Sequence, residues 1–376
     1  MENLNSVCYV GVIGEVVPIE GADNIEVVLV GGWQAITKKG EYQVGDKVVV
    51  ATTDAVIPVD LSDLMGVTGY LRKGQRVRTV KLRGVYSECL IISKNIFLLR
   101  KWPTLTEGED LMELLGITKY EPPVKMVEMN VGGRKFKYHQ NPNFHIYYKF
   151  PNMKNVPDMF SEEDEVSITR KLHGTNARYG IVRKKKLSIL DKIKGWFGNQ
   201  WVGYEYVYGS HNVEKGSDSQ GFYATDVWKT VAEKYDIRKK LWDHVKDTFD
   251  PNDVGSGFII YGEIYGHGIQ KNYDYGLTEI RFAGFDVEVD GSYVDNIYQS
   301  THFKCLGLEE VETLYSGQWS KEEQDKYVFN NNIHGTKVPH EGIVVKCLSG
   351  NRHKTAKVIN PDYLIYGEKN NVGDSH

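Results

Sequence analysis

The chain has 376 residues, with 46 Lys and Arg against 50 Asp and Glu for a net charge of −4, and 41% of it is hydrophobic; this length suits two globular domains with separate cores. That charge balance excludes a uniformly basic polypeptide, so a nucleic-acid partner would need local basic patches. No run of 18 apolar residues exists to cross a membrane, the start "MENLNSVCYVGVIGEV" has no secretion pattern, and Cys8, Cys89, Cys305 and Cys347 form no CxxC pair; a disulfide framework or structural zinc site is not expected, and a reducing cytoplasm fits.

Residues 6–95 read as short strands parted by Gly and Asn/Asp turns: "CYVGVIGEVVPI", "IEVVLVGG", "DKVVVATTDAVIP", "QRVRTVKLRG" and "ECLIIS". None has a 3.6-residue period, and the spacing predicts a small β-barrel or sandwich. Within it, "YLRKGQRVRTVKLRG" carries Arg72, Lys73, Arg76, Arg78, Lys81 and Arg83. On a strand, Arg76 and Arg78 would share one face, either a solvated sheet surface or a track for phosphates. Residues 96–165 then change character. "PTLTEGEDLMELLGI" predicts a loop with a short helix, and "PNFHIYYKFPNMKNVPDMF" a connector rich in Pro, Asn and aromatics. The expected division is a barrel over 1–120, a linker over 121–145, a second domain over 146–366 and a frayed tail over 367–376.

The second domain mixes strands and helices. "KLSILDKIKGWFG" (186–198) places Leu187, Leu190, Ile193 and Trp196 or Phe197 on one face of a helix. "TDVWKTVAEKYDIRKKLWDHVKDTF" (225–249) predicts a helix capped by Thr225 and Asp226 and ended at "DPND". "GFIIYGEIYG", "IRFAGFDVEVDG" and "EGIVVK" read as strands.

Chemistry concentrates in "VSITRKLHGTNARYG" (166–180), where an alternating strand ends on Arg170 and Lys171 and breaks into His173-Gly174-Thr175-Asn176. A lysine becomes a nucleophile when burial and neighbouring cations lower its pKa. Gly174 permits a tight turn beside the amine, and Thr175 and Asn176 offer hydrogen bonds to hydroxyls or phosphate. Glu263 in "YGEIYG" and Glu341 in "HEGIVVK" interrupt apolar strands, where a carboxylate is costly without a metal or hydroxyl partner. "RHKTAKVIN" adds Lys354 and Lys357. Converging lysines and two isolated carboxylates describe a site for an anion and a divalent metal, and so for phosphate chemistry. Taken separately, each piece also fits an edge-strand charge.

In this order, Lys171-Leu-His-Gly-Thr-Asn-Ala-Arg178, Tyr261-Gly-Glu263, Phe282-Ala-Gly-Phe-Asp-Val287, Glu341-Gly-Ile-Val-Val-Lys346 and Lys357-Val-Ile-Asn resemble motifs I, III, IIIa, IV and V of the covalent nucleotidyltransferases. That superfamily contains the ATP-dependent DNA ligases, RNA ligases and capping enzymes, and the KxHGTN form of motif I resembles nick-sealing RNA ligases. The resemblance implies an α+β protein: an all-β OB-like barrel at the N-terminus, then a mixed α/β nucleotidyltransferase (ATP-grasp-like ligase) domain with antiparallel sheets. It implies ATP and Mg²⁺ or Mn²⁺ as cofactors, and as substrate RNA with a nicked duplex or broken stem-loop, handled by a monomer.

By position, Lys171 would take AMP from ATP, pass it to a 5′-phosphate, and a 3′-hydroxyl would then close the strand. Arg170, His173, Gly174, Asn176 and Arg178 of motif I, with Ser210 and Asn212 of "YVYGSHN", would line the nucleotide site. Glu263 would hold the ribose or metal, Phe285 would stack on adenine or pack in the core, Glu341 would hold the metal, and Lys354 and Lys357 would meet phosphate. His211 stands where such ligases often carry arginine, and Thr355 where the first motif V lysine is expected. A DNA ligase, a GTP-using capping-type enzyme and a non-catalytic RNA-binding protein are the alternatives.

Overall fold

The computed structural model describes residues 6–72, 74–92, 105–120, 140–197, 200–218, 221–222, 226–251, 253–329, 332–348, 354–370 and 372. By contact the chain divides into two units. One comprises Met1–Pro123, Pro151–Ser161 and Ala356–Asn370, the other Val124–Phe150, Glu162–Thr355 and Asn371–His376.

The first unit is built on a five-stranded antiparallel sheet in the order Trp33–Lys38, Ile25–Val30, Cys8–Pro18, Lys47–Thr52, Cys89–Ile92. The Cys8–Pro18 strand serves two partners: Cys8–Val12 pairs with Lys47–Ala51, and Ile13–Pro18 pairs with Glu26–Val30. A register shift between Ile13 and Glu15 bends the strand at the handover, as a bulge does. The outer strands come together where Glu88 N donates to Gln34 O at 2.9 Å and Ile36 N to Ser87 Oγ at 3.0 Å. This is a nearly closed barrel of the OB type. "KVVVAT" is an unbroken apolar run because both of its faces are covered: Val48 and Val50 pack with Trp33 and Val28, while Val49 and Ala51 pack with Leu111 and Leu115. Pro151–Ser161 lies on the barrel, where Trp33 Nε1 donates to Asn155 Oδ1 at 3.1 Å.

The expected strand over "QRVRTVKLRG" is shorter in the structure, a hairpin of Val80–Leu82 with Val85–Ser87. Arg76 and Arg78 precede it in irregular chain, where backbone bonds run from Ile57 N to Gln75 O and from Val77 N to Ala55 O. The expected tail also differs, because the Pro361–Asn370 helix includes residues 367–370.

The second unit contains a seven-stranded antiparallel sheet whose central members are Tyr204–Ser210, Thr175–Arg183, Gly257–Gly266 and Ile280–Val289. Alternation along Thr175–Arg183 sends Ala177, Tyr179 and Ile181 into a core with Val231, Leu241, Val245 and Phe303 from the helices. The opposite face meets Phe144 and Tyr147. The single helix expected over 225–249 is two, Val227–Lys234 and Ile237–Thr248, because Asp236 takes a left-handed conformation (φ 50°) between them. A further sheet places Glu165–Lys171 between Thr313–Gln318 and Gly342–Cys347. Among the described residues no helix is long and apolar enough to cross a membrane.

Candidate active site

Lys171 is the last residue of its strand, paired in register with Gly342. Four residues on, Thr175 opens the central strand of the larger sheet. The Leu172–Gly174 turn therefore carries the chain from one sheet to the other, and the lysine sits at the crossing. Gly174 is needed there: a Cβ would lie 2.2 Å from Ile264 O and 3.0 Å from Glu263 Cγ. The turn is pinned from a distant loop, where His173 N donates to Tyr275 Oη at 2.5 Å and Gln270 Nε2 donates to Gly174 O. Tyr275 (φ 61°) and Asn272 (φ 59°) both adopt the left-handed region, a strain that persists only where surrounding contacts hold it.

The register that ends on Lys171 and Gly342 leaves Glu341 beside the amine. Lys171 Nζ lies 2.5 Å from Glu341 Oε1, and the glutamate is fully buried. Glu263 pairs across the sheet with Asn176, and residues directly opposite share a face. Burial raises the Glu263 pKa to about 8, Lys171 pulls it down less than burial pushes it up, Glu341 raises it further, and the Gly174 amide hydrogen-bonds it. At neutral pH the site thus holds an ion pair beside a carboxyl that keeps its proton. The expectation that cations crowd Lys171 is replaced by carboxylates. Arg170 points elsewhere, onto Glu312 Oε2 at 3.1 Å, as strand alternation requires. His173 is buried with its ring edge-on to Tyr273 at 5.0 Å.

Further along the same face, Phe285 is the extra residue of a bulge, since Tyr261 pairs with Asp286 while Gly262 pairs with Gly284. Its half-buried ring lies 4.9 Å from Tyr147. Lys346 fixes the bulge from below, donating to Phe285 O at 2.5 Å and Asp286 Oδ2 at 3.1 Å; Tyr147 Oη adds a bond to Asp286 at 2.9 Å. Arg178 is fully buried, and its Nε and Nη1 donate to Ser210 O (2.8 Å), Phe144 O (2.6 Å) and His145 O (2.8 Å). It ties the 144–145 segment to the sheet. Ser210 contributes its carbonyl to this knot. Its side chain shares the helix-facing side with Ala177, its cross-strand partner. Asn212 is exposed and accepts at its carbonyl from Gln140 Nε2 at 2.7 Å. The His211 pKa is lowered, first by burial and then by Arg178 and Lys149.

Other expected residues lie elsewhere. Lys354 holds Asp164 at 2.7 and 2.8 Å. Asp164 precedes the strand that Lys171 ends, and at ~3.3 Å per residue the two ends are roughly 23 Å apart. The assignment of Lys354 to the phosphate beside Lys171 is therefore corrected: the spacing along one strand is longer than two lysine side chains reach. Lys357 belongs to the first unit, where its amide donates to Pro151 O at 2.9 Å.

The barrel's basic residues are occupied within their unit. Arg76 is buried, ion-paired with Asp54, and stacked 4.1 Å from the Tyr120 ring centroid. Arg72 and Arg78 approach Glu368 at 3.9 and 3.4 Å, and Lys81 approaches Asp362 at 3.5 Å, both acids lying on the Pro361–Asn370 helix. Arg83 donates to Gly21 O at 2.9 Å. Lys73 lies outside the described residues. Sequence reasoning missed Gln270, Tyr275, Lys346 and Asp286. For the last two the strand charges in "FDVEV" and "IVVK" were available as a signal.

Glu263 and Glu341 suit a hard divalent cation of the Mg²⁺ or Mn²⁺ type. Such ions accept one or two carboxylates and complete their shell with phosphate oxygens and water. Among the described residues no cluster of three or more His, Cys, Asp or Glu exists, so a cage made of protein alone is not what these residues form.

A lysine-bearing turn between two antiparallel sheets and a barrel of the OB type are the features that define the class. A family model for RNA ligase matches residues 164–359, just over half of the chain, and an OB-fold domain model matches residues 7–94. The chain belongs to the RNA ligase family. No curated protein matches it in sequence. Among solved structures it is similar to a Naegleria gruberi RNA ligase with PPi, at 22% identity over 97% of this chain and 99% of that one, with a TM-score of 0.70. A Lys-to-Ala mutant of the Naegleria gruberi RNA ligase with ATP and Mn is similar at 23% identity, covering 96% and 98%, also with a TM-score of 0.70. These likenesses establish the shared fold.

Proposed function

We propose that this chain is an ATP-dependent RNA ligase that joins 3′-hydroxyl and 5′-phosphate ends through a lysyl-AMP intermediate. Repair of a nicked duplex or broken stem-loop by a cytoplasmic monomer is the setting we infer. The observation that carries the reading is Lys171 Nζ at 2.5 Å from buried Glu341, with Glu263 alongside.

The amine must lose a proton before it can attack, and Glu341 Oε1 is the acceptor within reach. The Lys171 nitrogen then forms a bond to the α-phosphorus of ATP, and the bond to the bridging oxygen breaks with its electron pair leaving on pyrophosphate. An oxygen of the RNA 5′-phosphate next displaces the lysine, breaking the nitrogen–phosphorus bond. Attack by the 3′-hydroxyl on that 5′-phosphorus forms the phosphodiester and releases AMP. Glu263 and Glu341 would hold Mg²⁺ or Mn²⁺, which when bound neutralises phosphate charge. Phe285, aimed by its bulge, supplies a flat apolar surface for the base. The Naegleria gruberi ligase structures with ATP and Mn support the nucleotide and metal classes.

The test is incubation with ATP labelled at the α-phosphate, followed by denaturing electrophoresis. Wild type should retain label and Lys171→Ala should not. Label on the alanine variant would refute the assignment. Parallel incubations with labelled GTP, and with nicked RNA and DNA duplexes, decide against the capping and DNA-sealing alternatives.

A further inference from the structure

We infer that the groove between the Ile189–Trp196 and Ile237–Thr248 helices is a docking track for a single-stranded segment of RNA, distant from Lys171. The inference rests on the RNA ligase reading for the identity of the polymer. Its geometry stands separately.

The groove encloses about 480 Å³ and is lined by five basic side chains against two acidic ones, with Trp201, Trp242 and Tyr204 between them. Three of these cations are ion-paired, Lys184 with Asp191 at 2.7 Å, Arg238 with Asp218 at 2.9 Å and Lys239 with Asp243 at 2.5 Å, so the local excess of positive charge is small, in a chain whose net charge is −4. The rings form one contiguous row with a cation at its end: Lys246 Nζ lies 5.1 Å from the Trp242 ring centroid, Trp242 meets Trp201 edge-on at 6.4 Å, and Trp201 meets Tyr204 at 5.3 Å. Cations in a groove with ring faces between them match a strand that presents phosphates along one side and bases along the other.

The groove's location separates it from the Lys171 site. Tyr204 pairs with Arg183, the last residue of the strand that Thr175 begins. At ~3.3 Å per residue these ends are roughly 26 Å apart, about eight nucleotides of a stacked strand at ~3.4 Å each.

The flanking helix supplies a second observation. It is closed at its start by a reciprocal capping box between Ser188 and Asp191, and none of its residues is buried. Its C-terminal end exposes Trp196 (88%) and Phe197 (84%), on the same helix as Asp191 and Lys194, which line the groove. A helix stabilised by its own cap can hold aromatic rings in water where a base will stack on them. A bilayer would also accept these rings, but a planar surface does not enter a concave groove.

The experiment titrates the full-length protein with a fluorescent single-stranded RNA of about 20 nucleotides, long enough to span the track, over a KCl series. The Lys194→Ala/Lys239→Ala/Lys246→Ala variant should bind at least ~10-fold more weakly at low salt. Its log–log salt slope should fall by about 2, at ~0.7 per lost phosphate contact. Trp196→Ala/Phe197→Ala should lose about fivefold or more in affinity with the slope unchanged. Both variants should self-label with AMP at the wild-type rate. Wild-type affinity and slope in both would overturn the track. Binding of wild type to phosphatidylserine vesicles that disappears in Trp196→Ala/Phe197→Ala, with RNA affinity intact, would overturn it in favour of a lipid surface. Failure of wild type to label with AMP would instead sink the ligase reading while leaving the measured groove effect in place.

Discussion

Replacing Glu263 by glutamine separates the electrostatic cost of the site from its chemistry. Burial, partly offset by Lys171 and reinforced by Glu341, lifts this acid from an ordinary 4.5 to about 8. Between those two values the unfolded chain gives up the proton and the folded chain keeps it. Stability then falls by about 1.4 kcal/mol for each pH step upward. At pH 7 the full effect would reach roughly 3 kcal/mol, and solvent access to this partly exposed carboxyl reduces it to about 1–2 kcal/mol. Glutamine has no proton to lose. The variant should therefore match wild type near pH 4.5, gain on it steadily as pH rises, and hold a constant advantage above pH 8. Urea midpoints at a series of pH values, with the denaturant slope unchanged, measure this directly. A difference that stays flat with pH, or shrinks as pH rises, would refute the argument. The same variant should fail to label with AMP, since the carboxyl proposed to hold the metal is gone.

Three other substitutions follow from the geometry. Gly174→Ala should cost about 2 kcal/mol and suppress AMP labelling, because its Cβ would meet the Ile264 carbonyl, which is backbone and does not yield; a wild-type labelling rate would contradict this. Arg76→Ala should lower the thermal midpoint by the equivalent of about 2–3 kcal/mol through the loss of its buried pair with Asp54, while RNA affinity per folded molecule is unchanged. Lys354→Ala should change stability by less than about 1 kcal/mol and leave labelling intact, since its pair with Asp164 is at the other end of the strand.

What was legible in the sequence was what broke a local rule. A carboxylate within "YGEIYG" or ahead of "GIVVK" is costly in an apolar strand, and the structure brings both to Lys171. Gly174 was legible because a turn between strands at a reactive amine needs a residue without a side chain. The partners that hold the turn were not. Gln270 and Tyr275 come from a loop some hundred residues away, with no period to announce it, and they rely on left-handed backbone at Asn272 and Tyr275. Lys354 was misplaced because the distance between motifs in the sequence says nothing about which end of a strand they reach. Arg76 read as a surface cation because its partners, Asp54 and Tyr120, are remote in the sequence. The amphipathic helix expected over 186–198 forms over Ile189–Trp196, but period alone could not say that its apolar face stays in water.

The arrangement around Lys171 also bears on how its reactivity is controlled. A lysine flanked by cations would be ready to attack at any time. Here the register of two strands sets the amine against a carboxylate with no exposure to solvent, and Glu263 beside them keeps its proton. The three groups together carry no net charge at neutral pH, so the fold does not hold an unpaired charge in a partly dry site, which would cost several kcal/mol. Negative phosphate arriving at this site changes the balance: it competes with Glu341 for the amine, and any cation that accompanies it favours ionisation of Glu263. On the proposed function, the Lys171 amine is stored as an ion pair and released by its own substrate. On this reasoning AMP labelling should rise with pH as Glu263 ionises, and a labelling rate that stays flat or falls over the same pH range would refute it.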